Sequence, residues 1–314
     1  MSLFIKKTIF FFLIVSGLFW GFEIIFTQGL RQSKAYHFGD WNKIYEGELD
    51  ADLVVSGSSK ACVHLDPLIL DSVLAFNTYN LGVNGYLFSM EKYRYDVFKA
   101  NNRTPKVIIQ VVSNGTLGKR KDLYALQQFL PYIDDPIIRE ATKGYKGFGY
   151  ADYYLPFVRY FGHRRAMLDG FSTFLGIGDN PKVTQRGYTI NELSWDNSFE
   201  RYKRIYPNGR DVVIEKEVVK LFKAFLKERQ EEGVKVILVY PPTYVESQPY
   251  INNRKEIMEL YQSIADEFQI PFWDYSNLPI ASDTSYFYNS QHLNRKGALL
   301  FSNRVALDIK KAMK

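Results

Sequence analysis

Near its N-terminus the chain carries one long apolar run, residues 8–27, directly after the basic pair Lys6 and Lys7. About 20 residues at roughly 1.5 Å each match a hydrocarbon core of about 30 Å, so the run predicts one transmembrane helix. Glu23 is its only charge and lies near the far end, where a carboxylate costs less than at the bilayer centre. A cleaved signal peptide and a buried core helix are the alternatives. No small-residue cleavage site follows, which favours an uncleaved anchor over residues 1–30.

The charges that flank this run predict its orientation. Lys6 and Lys7 should stay in the cytoplasm, which places residues 31–314 outside it, whereas Arg31 and Lys34 beyond the run weaken that preference. We expect a single-pass protein of a bacterial cytoplasmic membrane with its folded part on the extracytoplasmic side. The run and its flanks carry about half of the formal net charge of +6. The remainder gives no case for nucleic-acid binding, which needs clustered lysines and arginines.

Beyond residue 50, short apolar runs alternate with amphipathic stretches of ten or more residues. The runs predict five strands, at residues 52–56, 77–81, 106–112, 234–240 and 270–274. Strands that are apolar on both faces and separated by helices indicate a parallel sheet covered on both sides. The sequence therefore predicts an α/β fold with a three-layer, flavodoxin-like sheet of about five strands.

The stretch from residue 114 to residue 208 interrupts this alternation. It lies between the third and fourth predicted strands and is rich in glycine and aromatic residues, so we interpret it as an insertion or cap within a single domain of residues 31–314. Its aromatic side chains could stack on sugar rings, although packing onto the core is the commoner use of such residues. They are Tyr145, Phe148, Tyr150, Tyr153, Tyr154, Phe157, Tyr160, Phe161, Phe171 and Phe174.

The small number of cysteines and histidines limits the possible chemistry. Cys62 is the only cysteine, which excludes an intramolecular disulfide framework and a cysteine-based zinc site, and we predict no metal and no cofactor. Of the four histidines, His37 lies close to the membrane run and His163 adjoins two arginines in the insertion. His292 lies in a polar loop before the last predicted helix and is the candidate base. His64, in the first helix after the first strand, is the reserve.

Polar residues follow several predicted strands, at the sheet edge where reactive groups of parallel sheets gather. Gly57-Ser58-Ser59 ends the first strand and begins a helix, which exposes a serine hydroxyl and places its amide at a helix N-terminus. A plain helix N-cap is the alternative for that serine. Gly85 follows the second strand and Asn114 the third. Each could donate a hydrogen bond to an oxyanion or simply form a turn.

Together these segments resemble the four sequence blocks of the SGNH (GDSL-like) hydrolase superfamily. Gly57-Ser58-Ser59 resembles the nucleophile block, and Gly85 falls five residues after Asn80, as the oxyanion glycine of the family does. Asn114 is a looser match to the oxyanion asparagine. His292, in His-Leu-Asn-x-x-Gly-Ala, resembles the last block most specifically.

The resemblance covers roughly residues 52–112 and 212–314 and leaves the insertion unexplained. It implies that Ser59 is the nucleophile and that His292 is the general base. The implied oxyanion hole consists of the Ser59 amide, Gly85 and the side chain of Asn114.

One position departs from the family pattern. The family has aspartate three residues before the histidine, where this chain has Asn289. An amide can orient an imidazole, but it cannot stabilise imidazolium by charge. Three alternatives stay open: a dyad of Ser59 and His292, another carboxylate such as Asp274 or Asp283, or an inactive site.

Anchored members of the superfamily resemble this chain in having one N-terminal membrane span. They include the D-alanine transfer protein and the polysaccharide O-acetylation proteins that partner membrane-bound O-acyltransferases. The resemblance implies a transferase that moves an acyl group, most often acetyl, to a cell-surface polysaccharide through a serine acyl-enzyme. An envelope esterase that removes such groups is the first alternative. A catalytically silent scaffold or carbohydrate-binding subunit is the second.

Overall fold

The computed structural model describes residues 2–177 and 184–313, apart from the side chains of Tyr36 and His37. The chain divides into two compact units. One comprises Met1–Glu46 and Lys121–Val183, and the other comprises Gly47–Arg120 and Thr184–Lys314. The first unit thus joins the apolar N-terminal segment to much of the predicted insertion. The domain boundaries expected from the sequence stay predictions.

The described residues contain seven strands, twelve α-helices and five short 3-10 helices. The strands are β1 (Leu53–Ser56), β2 (Thr78–Asn80), β3 (Val107–Val111), β4 (Lys235–Tyr240), β5 (Phe272–Asp274), β6 (Phe287–Asn289) and β7 (His292–Leu293). The α-helices are α1 (Leu3–Gln32), α2 (Tyr36–Glu46), α3 (Ser59–His64), α4 (Pro67–Leu74), α5 (Phe88–Asn101), α6 (Pro136–Lys143), α7 (Tyr150–Tyr154), α8 (Arg164–Phe174), α9 (Ser198–Ile205), α10 (Lys216–Glu231), α11 (Arg254–Phe268) and α12 (Arg295–Ala312). Short 3-10 helices cover Leu126–Tyr132, Val158–Tyr160, Val245–Tyr250, Pro279–Ser282 and Thr284–Tyr286.

Strands β1 to β5 form one parallel sheet in the order β2-β1-β3-β4-β5. All residues of β1 and β3 are buried, as expected for strands that are apolar except for Ser56 and Gln110. This order places β1 and β3 side by side. The chain adds β2 on one side of β1 and then adds β3, β4 and β5 on the other side, so the strand order switches between β1 and β3. The predicted flavodoxin-like α/β fold is confirmed.

Helices cover both faces of this sheet. On one face, side chains of β1, β3 and β4 pack with Phe301, Val305 and Ile309 of α12 in one apolar cluster. On the other face, α5 packs on α10 through Phe88, whose ring centroid lies 4.7 Å from that of Phe222. Each fully buried side chain of this kind contributes about 1.5–3 kcal/mol to stability. These contacts hold α12 against the sheet and α5 against α10.

In the first unit, α1 is one 30-residue helix and is long and apolar enough to cross a membrane. Most of its apolar side chains are exposed, including Phe12 at 64% and Leu13 at 65%. A core helix of a water-soluble protein would bury them. Exposure of this kind favours the predicted anchor over the core-helix alternative.

Candidate active site

The turn between β1 and α3 presents Ser59 at the carboxyl edge of the sheet. Gly57 has φ of +149°, and a Cβ there would lie 2.9 Å from the Cβ atoms of Ala61 and Val111. Only glycine fits this conformation and this space. Ser58 takes the N-cap position without a capping hydrogen bond from its side chain, and Ser59 is the first residue of the helix. The N-cap alternative therefore does not describe Ser59.

His292 lies beside this serine although 233 residues separate the two in the chain. Its Nε2 is 2.8 Å from Ser59 Oγ. The sequence predicts a polar loop here, but the structure has a short antiparallel pair in which β7 places His292 opposite Asn289 of β6. The imidazole also stacks on Tyr288, with ring centroids 5.3 Å apart. The pairing and the stacking fix the ring toward Ser59.

Asn289 sets the tautomer of the imidazole. Its Oδ1 accepts from the backbone N–H of Gln291 at 2.9 Å and from that of His292 at 3.0 Å, and it lies 3.1 Å from His292 Nδ1. Because a backbone N–H can only donate, the amide oxygen must face this side. His292 Nδ1 therefore carries the proton, and Nε2 offers its lone pair to the hydroxyl of Ser59. This is the tautomer that a general base needs.

The two carboxylates considered as substitutes for the family aspartate serve their own loops. Asp274 Oδ1 accepts from the backbone N–H of Ser276 at 2.9 Å. Asp283 Oδ1 accepts from the backbone N–H of Ser285 at 2.8 Å. The position beside the imidazole Nδ1 belongs to the amide of Asn289. Of the two catalytic arrangements left open by the sequence, the geometry favours a serine–histidine pair oriented by an amide over a substitute carboxylate.

Burial and a neighbouring positive charge keep the imidazole neutral. Burial first, and then the charge of Lys60, lower the pKa of His292 to about 3. Lys60 follows the serine in α3, and burial together with the charge of Arg254 lowers its own pKa to about 7. Its Nζ lies 5.6 Å from the ring centroid of Tyr240. The imidazole is therefore neutral at physiological pH, and its protonated form is costly.

His64, the reserve base, supports the backbone instead. Its Nε2 accepts from the backbone N–H of Leu293 at 3.0 Å, which ties α3 to β7. Burial and the neighbouring His292 and Lys60 hold the pKa of His64 well below its usual range. With Nε2 already occupied, His64 positions β7, and His292 is the better base.

The predicted oxyanion groups lie in the loops that follow β2 and β3. Asn80 ties the first of these loops to α3, because its Nδ2 donates to the carbonyl of Ala61 at 2.7 Å and its Oδ1 accepts from the backbone N–H of Gly82 at 2.8 Å. Gly85 follows in a turn with φ of +78°. Asn114 Oδ1 accepts from the hydroxyl of Tyr240 at 2.8 Å, which leaves the NH₂ group on the opposite side of the amide. The oxyanion roles stay predictions.

Sequence reasoning missed Lys60 and Tyr240. Tyr240 is the last residue of β4, so its place at the carboxyl edge of the sheet could have identified it. Nothing in the local sequence indicates that Lys60 is buried. Within the described ranges, no group of three or more histidine, cysteine, aspartate or glutamate residues could hold a metal ion.

Comparisons with known proteins give little beyond this geometry. No family model matches the chain, and no curated protein matches it. Among solved structures, it is similar to a Bacteroides fragilis protein that carries a provisional description as an acylhydrolase. The similarity covers 83% of this chain and 88% of that one, with 15% sequence identity and a TM-score of 0.35. A similarity this distant carries no argument about activity.

Proposed function

We propose that this protein is a membrane-anchored serine acyltransferase that forms an acyl-enzyme on Ser59. The observation that carries the proposal is the hydrogen-bonded series from Ser59 Oγ through the imidazole of His292 to Asn289 Oδ1. A serine hydroxyl is a weak nucleophile until a neighbouring base accepts its proton. The sequence resemblance to the SGNH superfamily supports the same assignment of roles.

The reaction follows from the tautomer. Ser59 Oγ attacks the carbonyl carbon of an acyl donor, and its proton passes to His292 Nε2. In this proposal the amides of Ser59 and Gly85 and the NH₂ group of Asn114 donate to the oxyanion. Collapse of the tetrahedral intermediate expels the leaving group, which takes the proton from Nε2. A second hydroxyl then attacks the acyl-enzyme by the same steps in reverse and regenerates Ser59.

We propose a hydroxyl of a cell-envelope polysaccharide as the acceptor and acetyl as the acyl group. The exposed apolar helix α1 supports work at a membrane, and the resemblance to anchored partners of membrane-bound O-acyltransferases supports this acceptor. In this proposal such an acyltransferase supplies the acyl group at the membrane. An envelope O-acetyl esterase would use the same residues with water as the acceptor.

A specific observation favours a second function. Asn289 offers no negative charge, and the pKa of His292 is lowered to about 3, so the imidazolium that forms during acyl transfer lacks a counter-charge. Both features would suit a carbohydrate-binding subunit that has lost catalysis. This second candidate predicts ligand binding without acylation of Ser59.

One experiment separates these functions. The full chain in detergent is incubated with p-nitrophenyl acetate, with and without an oligosaccharide acceptor, and Ser59→Ala and His292→Ala are compared with Ser58→Ala. We expect release of p-nitrophenol by the wild type and by Ser58→Ala, and at least a hundredfold loss in the other two variants. Acetylated oligosaccharide without matching free acetate would indicate transfer, and free acetate alone would indicate an esterase. Equal turnover in all four proteins would contradict a catalytic Ser59.

A further inference from the structure

The free part of α1 is too short to cross a bilayer alone. Ring contacts with the insertion begin at Phe19, whose centroid lies 5.7 Å from that of Phe157 and 6.3 Å from that of Phe161. Contacts with the insertion continue to the end of the helix, where Arg31 Nε donates a hydrogen bond to the carbonyl of Pro131 at 2.8 Å. The segment before Phe19 has about 16 residues and rises roughly 24 Å, whereas a hydrocarbon core is about 30 Å thick.

The positions of the two lysines indicate how deep Phe19 lies in the bilayer. Lys6 and Lys7 belong at the headgroups, so the hydrocarbon core begins near Thr8 and extends about 20 residues to Thr27. Phe19 then lies roughly 12 Å from the surface of the core at Thr27. Phe157 and Phe161 pack on it and must lie at the same depth.

The only acidic residue of the apolar run is neutralised by the same part of the insertion. Glu23 is 7% exposed and forms an ion pair with Arg159, which is 5% exposed. Its Oε2 also accepts from the backbone N–H of Phe157 at 2.8 Å. One turn further along, Thr27 Oγ1 lies 2.6 Å from the hydroxyl of Tyr160. Charged groups inside a bilayer are paired in this way and turned away from lipid.

Helix α8 then runs along α1 toward its C-terminal end. A Cβ at Gly29 would overlap the carbonyl of Gly170, so the two backbones touch at that point. Phe161, just before α8, lies at the level of Phe19. Close backbone contact between small residues is typical of helices that pack in membranes.

The outer side of the insertion is apolar and exposed. We define the collar as six of its side chains that are each at least 40% exposed: Leu155, Phe161, Leu168, Phe171, Phe174 and Ile177. They occupy the same unit as α1, and Phe161 touches it, so the collar continues the exposed apolar surface of the membrane helix. Exposed large apolar side chains grouped in this way are typical of surfaces that contact a membrane or another protein.

We propose that the collar is embedded in the bilayer leaflet at the C-terminal end of α1. Acyl chains of lipid cover Phe161 and Leu168, and the headgroup region covers Phe171 and Phe174, which follow Gly170. The insertion is then a second membrane contact, which holds α1 at a fixed depth. The proposal rests on the proposed anchoring by α1 and is independent of any chemistry at Ser59.

Depth-dependent fluorescence quenching tests this. Single cysteines replace Leu168 in the collar, Leu13 in α1 and Val213 in the other unit, which are 63%, 65% and 67% exposed respectively. The background is Cys62→Ala, which removes the native cysteine. Each full chain is labelled with an environment-sensitive dye and reconstituted into vesicles whose lipids carry nitroxide groups on their acyl chains.

We expect the label at Leu168→Cys to be quenched at least half as strongly as that at Leu13→Cys, with that at Val213→Cys unaffected. Quenching at Leu13→Cys alone would overturn the collar proposal and leave the anchor standing. Quenching at neither position would overturn both. A label at Leu168→Cys that emits as if dry but is not quenched would mean that a second copy of the chain covers the collar, which also contradicts the proposal.

Discussion

Asn289 presents its side-chain oxygen to the imidazole of His292 because the backbone N–H groups of Gln291 and His292 point at the same oxygen. In serine hydrolases, replacing the triad aspartate with asparagine is damaging largely because the amide can favour the wrong tautomer. Here the turn itself prevents that error. The base is therefore correctly oriented, but the site lacks the negative charge that would stabilise imidazolium.

Restoring the charge should therefore increase the rate. We expect Asn289→Asp to raise kcat for p-nitrophenyl acetate by about 10- to 100-fold, since the full loss attributed to the opposite change in a triad is about four orders of magnitude. Asn289→Leu keeps the size but removes the acceptor, and it should lower kcat below the wild type. An Asn289→Asp variant no faster than wild type would show that imidazolium formation does not limit the reaction.

The pH dependence of the wild type should follow Lys60 and not His292. Because the pKa of His292 is lowered to about 3, the base is neutral throughout the usual assay range. The pKa of Lys60 is about 7, so its positive charge is present below that pH and disappears above it. Loss of this charge relieves repulsion of the imidazolium, and kcat should rise as the pH increases through about 7.

Lys60→Met tests this assignment with little change in volume. We expect the variant to lose the step near pH 7 and to exceed the wild type in kcat at pH 6. Arg254 and His64 also face Lys60, and neither residue is changed in the variant. A step that persists in Lys60→Met would assign the titration to another group.

The turn before the nucleophile should not tolerate a side chain. Gly57→Ala places a Cβ 2.9 Å from two other Cβ atoms at φ of +149°, and we expect it to reduce the free energy of unfolding by about 2–4 kcal/mol and to displace Ser59. Gly144→Ala is the matched control, because no atom lies within 4 Å of the added Cβ. Thermal unfolding of the full chain in detergent, together with kcat, measures both effects. Equal melting temperatures for the two variants would contradict the steric argument.

Glu91 should make the protein less stable at alkaline pH. It is buried on α5, where Gln110 Nε2 donates to its Oε2 at 2.9 Å, and burial raises its pKa from 4.5 to about 8. Because the folded state binds this proton more tightly than the unfolded state, the stabilising contribution is full below about pH 4.5 and is lost as the pH rises through 8. Glu91→Gln should flatten this dependence and melt at a higher temperature than wild type at pH 9. A wild type equally stable at pH 5 and pH 9 would contradict a buried acid here.

Much of the fold was predictable because its signals are local. Apolar runs such as 106–112 and amphipathic stretches such as 212–232 predict strands and helices that the structure confirms as β3 and α10. Because the strands of a parallel sheet run in the same direction, their carboxyl ends meet at one edge of the sheet. For this reason the sequence could place Ser59 and His292 near each other, although the distance between them needed the structure.

The sequence by itself determined the five strands of the parallel sheet, the helices between them and the apolar helix α1, since the period of apolar residues decides each of these. Only the tertiary structure decided which oxygen of the turn faces His292, that Lys60 is buried beside it, and that Asp274 and Asp283 serve other loops. The contacts of Asn289, Asp274 and Asp283 depend on the exact geometry of their turns, which periodicity does not record. The position of Lys60 beside His292 depends on contacts between residues far apart in the chain. The packing of the aromatic insertion on α1 belongs to the same class, because it joins Phe19 to Phe157 across more than a hundred residues.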